Sequence, residues 1–281
     1  MPDFDPGYVA DPFLSLCRSY PDTTAYPQKD FRTEWGPIFH RGRLDGSSRV
    51  LIIGQDPAQH ETIIRRILVG EAGERLQGFL SKLGIDRSYT LINAFLYSVY
   101  GTATKYDDDP PIVEYRNSWI KAILDTQKIE AVVCLGDLAG KAWNLWRSGG
   151  GEDVPQIKIW HPTRPESSSS GKPAGELAKQ TRLMLENWNA GLEQIKPAIK
   201  HPDRTVQFVP YGEAFGPGDK VPIPSVDIPA GLPAWMISGK AWAARGLPPP
   251  PAHPLDDAGQ ARQKRATIVV TVPKTELPGD G

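Results

Sequence analysis

Runs of apolar residues alternate with amphipathic segments between residues 50 and 195. Four of the runs are almost continuously apolar, which is typical of strands buried on both faces of a parallel sheet. These predicted strands are VLII at 50–53, TLINAF at 90–95, IEAVVCL at 129–135 and QIKIW at 156–160. The segments between them are of helical length, so we expect strands to alternate with helices.

Apolar residues at helical spacing predict the helices. One helix covers 72–83, one begins at Pro110 after a capping Asp109, one runs from a capping Asp137 to about Ser148, and one covers 175–195. The expected buried faces carry Leu76, Phe79, Leu80 and Leu83 in the first helix, Ile112, Trp119, Ile123 and Leu124 in the second, and Leu177, Met184, Trp188 and Leu192 in the last.

The pattern predicts an α/β domain over residues 1–198, with a central four-stranded parallel sheet flanked by helices. The composition then changes, because residues 199–281 are dense in Pro and Gly, as in PIPSVDIP and GLPPPPAHP. We predict an appended arm, partly packed and partly disordered at its end. Only FVPYG, PAWMI and TIVVTV could form short strands within it.

Charge and cysteine content restrict the partners and the compartment. The 281 residues include 32 Lys and Arg against 33 Asp and Glu, a formal net charge of -1. An anionic partner would therefore have to meet a local basic face. Cys17 and Cys134 are too few for a disulfide scaffold or a metal cluster. With no signal pattern in MPDFDPGYVA and no membrane-length apolar segment, we expect a soluble cytoplasmic protein.

Polar side chains stand at the ends of three predicted strands. Gln55 and Asp56 follow the first strand, Asn93 lies in the second, and His161 follows the fourth. Each alone has an ordinary structural explanation, as a turn, a strand bulge or a loop residue. Because ligands of open parallel sheets bind beyond the carboxyl ends of the strands, their coincidence indicates a binding site.

The residue types at this edge suit a nucleic-acid substrate. A carboxamide such as that of Asn93 can pair with a base edge that offers one donor and one acceptor. The Ser-rich loop beside Arg164 and Lys172 suits phosphate contacts. A carboxylate facing a developing sugar cation, with an imidazole facing a developing anion, suits cleavage of a glycosidic bond.

Three stretches resemble motifs of the uracil-DNA glycosylase superfamily. GQDPAQHE resembles its first motif, LINAFL the strand with the uracil-reading Asn, and HPTRPESSS its histidine motif. Residues 67–93 are similar in spacing to the thermostable bacterial and archaeal branch. The resemblance extends from about residue 35 to residue 192 and implies a DNA repair glycosylase.

The resemblance implies a role for each matching residue. Asp56 would orient water and stabilise positive charge on the deoxyribose. Gln55 would line the pocket near a uracil carbonyl, and Asn93 would pair with uracil N3–H and O4. His161 would donate a hydrogen bond to O2 of the departing uracil anion, an interaction typically worth about 10²–10³ in rate. His60 is a further candidate for the pocket.

The resemblance also implies phosphate contacts after the histidine. The candidate residues are Thr163, Arg164, Ser167, Ser168 and Ser169. Arg65, Arg66 and Arg75 leave two interpretations open: they contact phosphate, or they form an ordinary exposed helix face.

Two departures from the family pattern concern the base pocket. Ala58 stands where the GQDP branch has a Tyr that blocks the thymine methyl, which predicts a roomier pocket and a broader range of bases. Leu68 stands where the thermostable branch has Phe, so stacking on the base would be aliphatic or come from Phe95. Both residues are therefore candidate uracil contacts.

Two further departures concern the wedge and the metal cluster. No large apolar residue lies between Pro162 and Ser170, so Arg164 or Pro165 would have to hold open the gap left by the base. The thermostable branch uses four cysteines for an iron–sulfur cluster, and this chain has only two. We expect no cofactor and no metal.

The sequence thus predicts a monofunctional uracil-DNA glycosylase that leaves an abasic site, because no Lys is placed to form a Schiff base. Its expected partner is uracil-containing DNA, single- or double-stranded, with no membrane, and we expect a monomer. Two alternatives stay open. One is a module that binds damaged or single-stranded DNA without catalysis, and the other is a hydrolase of free nucleosides or nucleotides.

Overall fold

The computed structural model describes residues 3–100, 104–239, 241–246 and 267–273. Its strands are β1 (Arg41–Gly42), β2 (Val50–Gly54), β3 (Tyr89–Asn93), β4 (Ala131–Leu135), β5 (Gln156–Ile159), β6 (Ala243–Arg245) and β7 (Ile268–Val270). Its α-helices are α1 (Phe13–Arg18), α2 (Gln59–Ile64), α3 (Glu71–Lys82), α4 (Pro110–Thr126), α5 (Asp137–Ser148), α6 (Arg164–Ser169) and α7 (Glu176–Ile195).

The central sheet has the strand order β1-β3-β2-β4-β5. Strands β2 to β5 are mutually parallel, which confirms the four predicted strands. The sheet has one more strand than predicted, because β1 pairs antiparallel with β3 through Arg41 and Gly42. Two residues are too few to show a periodic pattern in the sequence. From β2 the chain adds β3 on one side and later β4 and β5 on the other side. The strand order therefore reverses at β2, and a ligand crevice is expected at such a switch point.

Alternate residues of β2 point to opposite faces of the sheet. Val50 and Ile52 pack into a core with α3 and α7, whereas Leu51 and Ile53 pack into a second core with α4 and α5. All four side chains are fully buried. Burial of one such side chain stabilises the fold by about 1.5–3 kcal/mol. Packing in the two cores therefore fixes the end of β2 and, with it, the positions of Gln55 and Asp56.

The helices begin and end close to their predicted bounds, but three details differ. Leu177, expected on a buried face, is 48% exposed in the first turn of α7. Asp109 precedes α4 without forming a side-chain cap. Asp137 lies inside the first turn of α5 after Gly136, and its carboxylate binds Lys158 of the neighbouring β5 at 2.6 Å instead of capping the helix.

The Ser-rich stretch after the histidine is a short helix, α6, and not the predicted loop. Pro165 stands in its first turn, where the fixed φ of proline favours a helix start and no amide hydrogen is needed. The serines alone suggest a loop, whereas the proline in the first turn is the signal for a helix start.

The described part of the arm packs on the α/β domain. The carboxylate of Asp227 is fully buried and binds Arg43 at 2.5 Å, Arg41 at 3.8 Å and the hydroxyl of Tyr89. Trp242 and Ala243 join Ile64 of α2 in a third apolar cluster. The arm therefore contacts the domain at several places, which include this buried carboxylate and a cluster directly beside the first motif.

Only one of the three segments suggested as arm strands forms one. TIVVTV contains β7, which pairs antiparallel with β6. PAWMI contains a 3-10 helix at Ala234–Met236, and FVPYG forms no regular element. The proline-rich residues 247–266 and the end of the arm at 274–281, where we predicted disorder, lie outside the described residues.

In the part of the chain that the structure describes, no helix combines the length and the apolar character that a membrane span requires.

Candidate active site

A cavity of about 470 Å³ lies beyond the carboxyl ends of β2, β4 and β5. It is within the range of 300–1,000 Å³ usual for ligand pockets. Nine of the predicted site residues line it: Gln55, Asp56, Ala58, Leu68, His161, Thr163, Arg164, Ser167 and Ser168. Three of the four residues predicted from strand ends, Gln55, Asp56 and His161, thus lie at one cavity.

Asp56 lies two residues after β2 and lines the cavity with a partly buried carboxylate. Its Oδ2 accepts a hydrogen bond from the backbone N–H of Val99 at 2.9 Å, which fixes the direction of the group. Burial raises the pKa of Asp56, while the Val99 N–H and the nearby Arg245 and Arg32 act in the opposite direction. The site thus holds a carboxylate that is oriented and weakly hydrated.

His161 follows β5, and burial lowers its pKa to about 4. Its Nδ1 accepts a hydrogen bond from the backbone N–H of Thr163 at 3.3 Å and lies 2.9 Å from the Thr163 hydroxyl. An Nδ1 that accepts a backbone N–H carries no proton, so the proton of the neutral ring is on Nε2. At neutral pH His161 therefore offers one N–H donor and no charge.

Gln55 lies between Asp56 and His161 at the cavity wall. Its Nε2 donates to the carbonyl of Leu135 at 3.4 Å. Gly136, which follows Leu135, has a φ of +89°, and a Cβ atom there would lie 2.5 Å from Gln55 Nε2. Glycine is thus required at 136 both for its left-handed backbone and for the close approach of this carboxamide.

Asn93 does not line this cavity. It ends β3 opposite Gly54 of β2, and a Cβ atom at Gly54 would lie 2.2 Å from Asn93 Oδ1. The side chain is 8% exposed, and its Nδ2 has no hydrogen-bond partner within the described ranges. An unpaired buried donor costs about 1–3 kcal/mol, so a ligand that reached it would recover that energy. The uracil-reading role of Asn93 stays a prediction.

Glu61, which sequence reasoning missed, ties two walls of the cavity together. Its Oε2 accepts from the Ala58 N–H at 2.9 Å and its Oε1 from the Leu68 N–H at 3.1 Å. Leu68 has a φ of +50°, a conformation that costs energy in a residue with a Cβ. The carboxylate of Glu61 thus stabilises a strained wall residue, while burial raises the pKa of Glu61 itself.

Other candidates lie outside the cavity lining. His60 accepts a hydrogen bond from the Ala243 N–H at 3.3 Å and packs edge-on against Trp242 of the arm. Ser169 donates to the carbonyl of Pro165 at 2.7 Å within α6. Phe95 is 1% exposed and packs on Phe31 in the core, so the expectation that it stacks on the base is wrong.

The two residues suggested to hold open the gap left by the base, Arg164 and Pro165, differ in exposure. Pro165 is buried in α6 and cannot enter a base stack. Arg164 is exposed, lines the cavity and lies with its guanidinium 3.8 Å from the ring centre of Trp160. Of the two substitutes that the sequence suggested, Arg164 alone is available for that role.

Both interpretations of Arg65, Arg66 and Arg75 are wrong. Arg66 binds Asp5 at 2.6 Å in a buried pair, and Arg65 donates to the carbonyl of Trp35 at 2.8 Å. Arg75 is tied to α6 and to the loop that follows β5. Arg75 therefore braces the segment that carries His161, while Arg65 and Arg66 hold the N-terminal part of the chain.

Several lining residues had not been singled out in the sequence. Trp160 and Gly136 stand at strand ends, so the argument that found His161 could have found them too. Lys158 also lines the cavity, and its Nζ lies 2.6 Å from the Asp137 carboxylate. Arg245 comes from the arm, where no sequence signal pointed to the site.

Comparison with known proteins identifies the domain. The family model of the uracil DNA glycosylase superfamily matches residues 41–192, more than half of the chain. A comparison with curated protein sequences finds none that matches. The matched span runs from β1 into α7 and contains Asp56, His161 and Glu61, whereas Arg245 lies beyond it. The motif resemblance is thus confirmed at the level of the family: the chain belongs to the uracil DNA glycosylase superfamily.

Proposed function

We propose that this protein is a monofunctional DNA glycosylase that hydrolyses the bond between uracil and deoxyribose and leaves an abasic site. The observation that supports this most is the position of Asp56 and His161 on one cavity at the switch point of the sheet. Membership of the superfamily indicates DNA as the substrate class.

In the proposed reaction, the C1′–N1 bond breaks and its electron pair leaves with the base. The sugar becomes cationic, and the Asp56 carboxylate stabilises that charge. A water oxygen then bonds to C1′ and passes a proton to the carboxylate, which yields the abasic sugar. The Val99 N–H holds Asp56 Oδ2 in place, so the carboxylate does not have to reorganise as the charge develops.

His161 acts on the leaving base. Its Nε2–H would donate to O2 of uracil, where negative charge collects when the bond breaks. A neutral donor suits this task because it stabilises the anion without needing a proton supply at neutral pH. The pKa of about 4 keeps the ring neutral under these conditions.

The base would be held between apolar and polar walls. Leu68 and Trp160 offer surfaces for the ring faces, and Gln55 offers a carboxamide to a carbonyl edge. The unpaired Nδ2 of Asn93 is the proposed donor to O4 of uracil, although Asn93 does not line the cavity and would have to move toward it. A buried donor without a partner destabilises the free protein, and a base that accepts its hydrogen bond recovers that free energy.

Monofunctional chemistry is supported by the state of Lys158. A bifunctional glycosylase needs a neutral amine to attack C1′. Lys158 Nζ lies 2.6 Å from the Asp137 carboxylate, so this contact would have to break before the amine could attack C1′.

The first experiment is base release from a single-stranded oligonucleotide with one uracil. We expect release of free uracil and an alkali-labile abasic site. Binding without release would favour a non-catalytic binding module, and faster cleavage of free deoxyuridine than of DNA would favour a nucleoside hydrolase.

Ala58 leads to a prediction on base range. Its methyl group lines the cavity and leaves room beside the base, so we expect release of 5-substituted or deaminated bases besides uracil. Ala58→Tyr should fill that room and reduce release of 5-substituted bases at least about tenfold relative to uracil. A panel of lesion oligonucleotides measures both enzymes, with Ala190→Tyr on α7 as the control. Strict uracil selectivity of the wild type would contradict the expectation.

A further inference from the structure

The arm reaches the active site through β6. Trp242 of the arm is 4% exposed and packs against His60, and the Ala243 N–H donates to His60 Nε2 at 3.3 Å. His60 belongs to α2, the helix that begins three residues after Asp56. β6 pairs with β7 along its whole length, so Arg245, the last residue of β6, is held in the same hairpin-like pair as Ala243.

Arg245 lies beside the segment that orients the catalytic carboxylate. Its Nη2 lies 3.3 Å from the hydroxyl oxygen of Ser98, and its guanidinium carbon lies 5.8 Å from the ring centre of Trp35. Ser98 directly precedes Val99, whose N–H binds Asp56. Arg245 itself is exposed and lines the cavity. Its position is therefore fixed by packing, while its charge stays open to solvent.

The cavity is lined by carboxyl groups, which repel the phosphates of DNA, so a DNA strand needs cations at its edge to bind there. Asp56, Glu61 and Asp137 place three carboxyl groups there, and a lysine is bound to one of them. Among the lining residues within the described ranges, Arg164 and Arg245 are cations without an ion pair. Arg164 belongs to the α6 side and Arg245 to the Asp56 side. The strand that carries an extruded nucleotide has a phosphate on each side of it.

We propose that Arg245 binds a backbone phosphate beside the extruded nucleotide, so that the arm is part of the DNA-binding surface. This inference rests on the proposed glycosylase function. It assigns a role to a segment outside the matched family span, and it pairs Arg245 with Arg164 as the two cations flanking the pocket.

The test measures DNA affinity as a function of salt. The variants are Arg245→Gln and Arg245→Lys. The control is Arg147→Gln, which removes an exposed charge at the C-terminal end of α5, whereas the N-terminal end of that helix lines the cavity. Fluorescence anisotropy follows binding to a single-stranded oligonucleotide with a stable tetrahydrofuran abasic site. Thermal unfolding checks that each variant is folded.

A phosphate contact predicts two changes for Arg245→Gln. Affinity should fall about tenfold or more at low salt. The slope of log K against log salt concentration should become shallower by about 0.7, which is the contribution of one phosphate neutralised on a single strand. Arg245→Lys should keep the slope, and Arg147→Gln should change neither quantity.

The outcomes separate this inference from the proposed function. If the wild type releases uracil but Arg245→Gln binds with unchanged affinity and slope, the inference is wrong and the glycosylase stands. If the wild type binds DNA and Arg245→Gln shows the predicted slope change, but the wild type releases no base, the phosphate contact stands and the proposed catalysis fails. No DNA binding at all by the wild type would overturn both.

Discussion

Burial moves the two titratable groups of the site in opposite directions. It raises the pKa of the Asp56 carboxyl, because the charged form loses hydration, and it lowers that of His161 to about 4 for the same reason. Near neutral pH the imidazole of His161 is therefore neutral, as the mechanism needs, while burial works against the charged form of Asp56 and the Val99 N–H favours it.

The pH dependence follows from these shifts. As pH falls from 7, His161 should stay neutral until about pH 4, so a loss of activity above that pH should come from protonation of Asp56. Because the pKa of Asp56 is raised, this loss should begin at a higher pH than for an exposed aspartate. Single-turnover rates give the activity profile, and nitrogen-15 NMR follows the imidazole. A His161 ring that titrates near pH 6.5 would contradict this assignment.

At the scale of elements, the site depends on how α3 holds α6 and the histidine loop. Arg75 of α3 donates to the carbonyl of Pro162 at 2.7 Å and binds Glu166 of α6 at 2.6 Å. Pro162 directly follows His161. The guanidinium of Arg75 is thus a positioning group that fixes the imidazole through the backbone next to it.

Removal of this contact should reduce turnover more than binding. Arg75→Met keeps the aliphatic stem but frees α6 and leaves the Pro162 carbonyl unpaired. We expect kcat on uracil DNA to fall by about 10–100-fold, because a shift near 1 Å in a catalytic group has effects of this size. The affinity for an abasic oligonucleotide should change little. Arg182→Met, which removes an exposed arginine of α7 paired with Glu186, serves as the control. Equal kcat in both variants would refute a positioning role for Arg75.

At the scale of the whole molecule, Asp227 attaches the arm to the sheet. Its carboxylate is fully buried and faces Arg41, which is itself fully buried, so the pair balances two charges removed from water. The arm that this contact secures carries Arg245. One buried carboxylate that faces two arginines, Arg41 and Arg43, thus holds the arm on the sheet.

Loss of the Asp227 carboxylate should destabilise the protein strongly. Asp227→Ala leaves Arg41 buried without a counter-charge, and the free energy of unfolding should fall by about 3–5 kcal/mol. Urea denaturation measures this change. Asp153→Ala, which breaks an exposed pair with Arg147, should cost less than about 1 kcal/mol. A similarly small cost for Asp227→Ala would mean that the arm is not held at this point.

The sequence predicted the parts of this architecture that depend on local patterns. The four parallel strands show continuous apolar runs, and Asp56 and His161 stand where such strands end. Strand β1 has only two residues, and the position of Arg245 at the site depends on tertiary packing of a Pro- and Gly-rich arm. Neither leaves a periodic signal. The buried roles of Arg66 and Arg75 depend on partners far away in sequence, and could not be inferred locally.

We infer that Asp56 and His161 act on one base in one cavity. The single-turnover rate of uracil release from a single-stranded oligonucleotide, measured for the wild type and for Asp56→Asn, tests this inference. We predict that the wild type releases uracil and that Asp56→Asn is slower by about 10²–10⁴-fold while it binds the abasic oligonucleotide equally well. An Asp56→Asn variant as fast as the wild type, or a wild type that releases no base, would contradict the account.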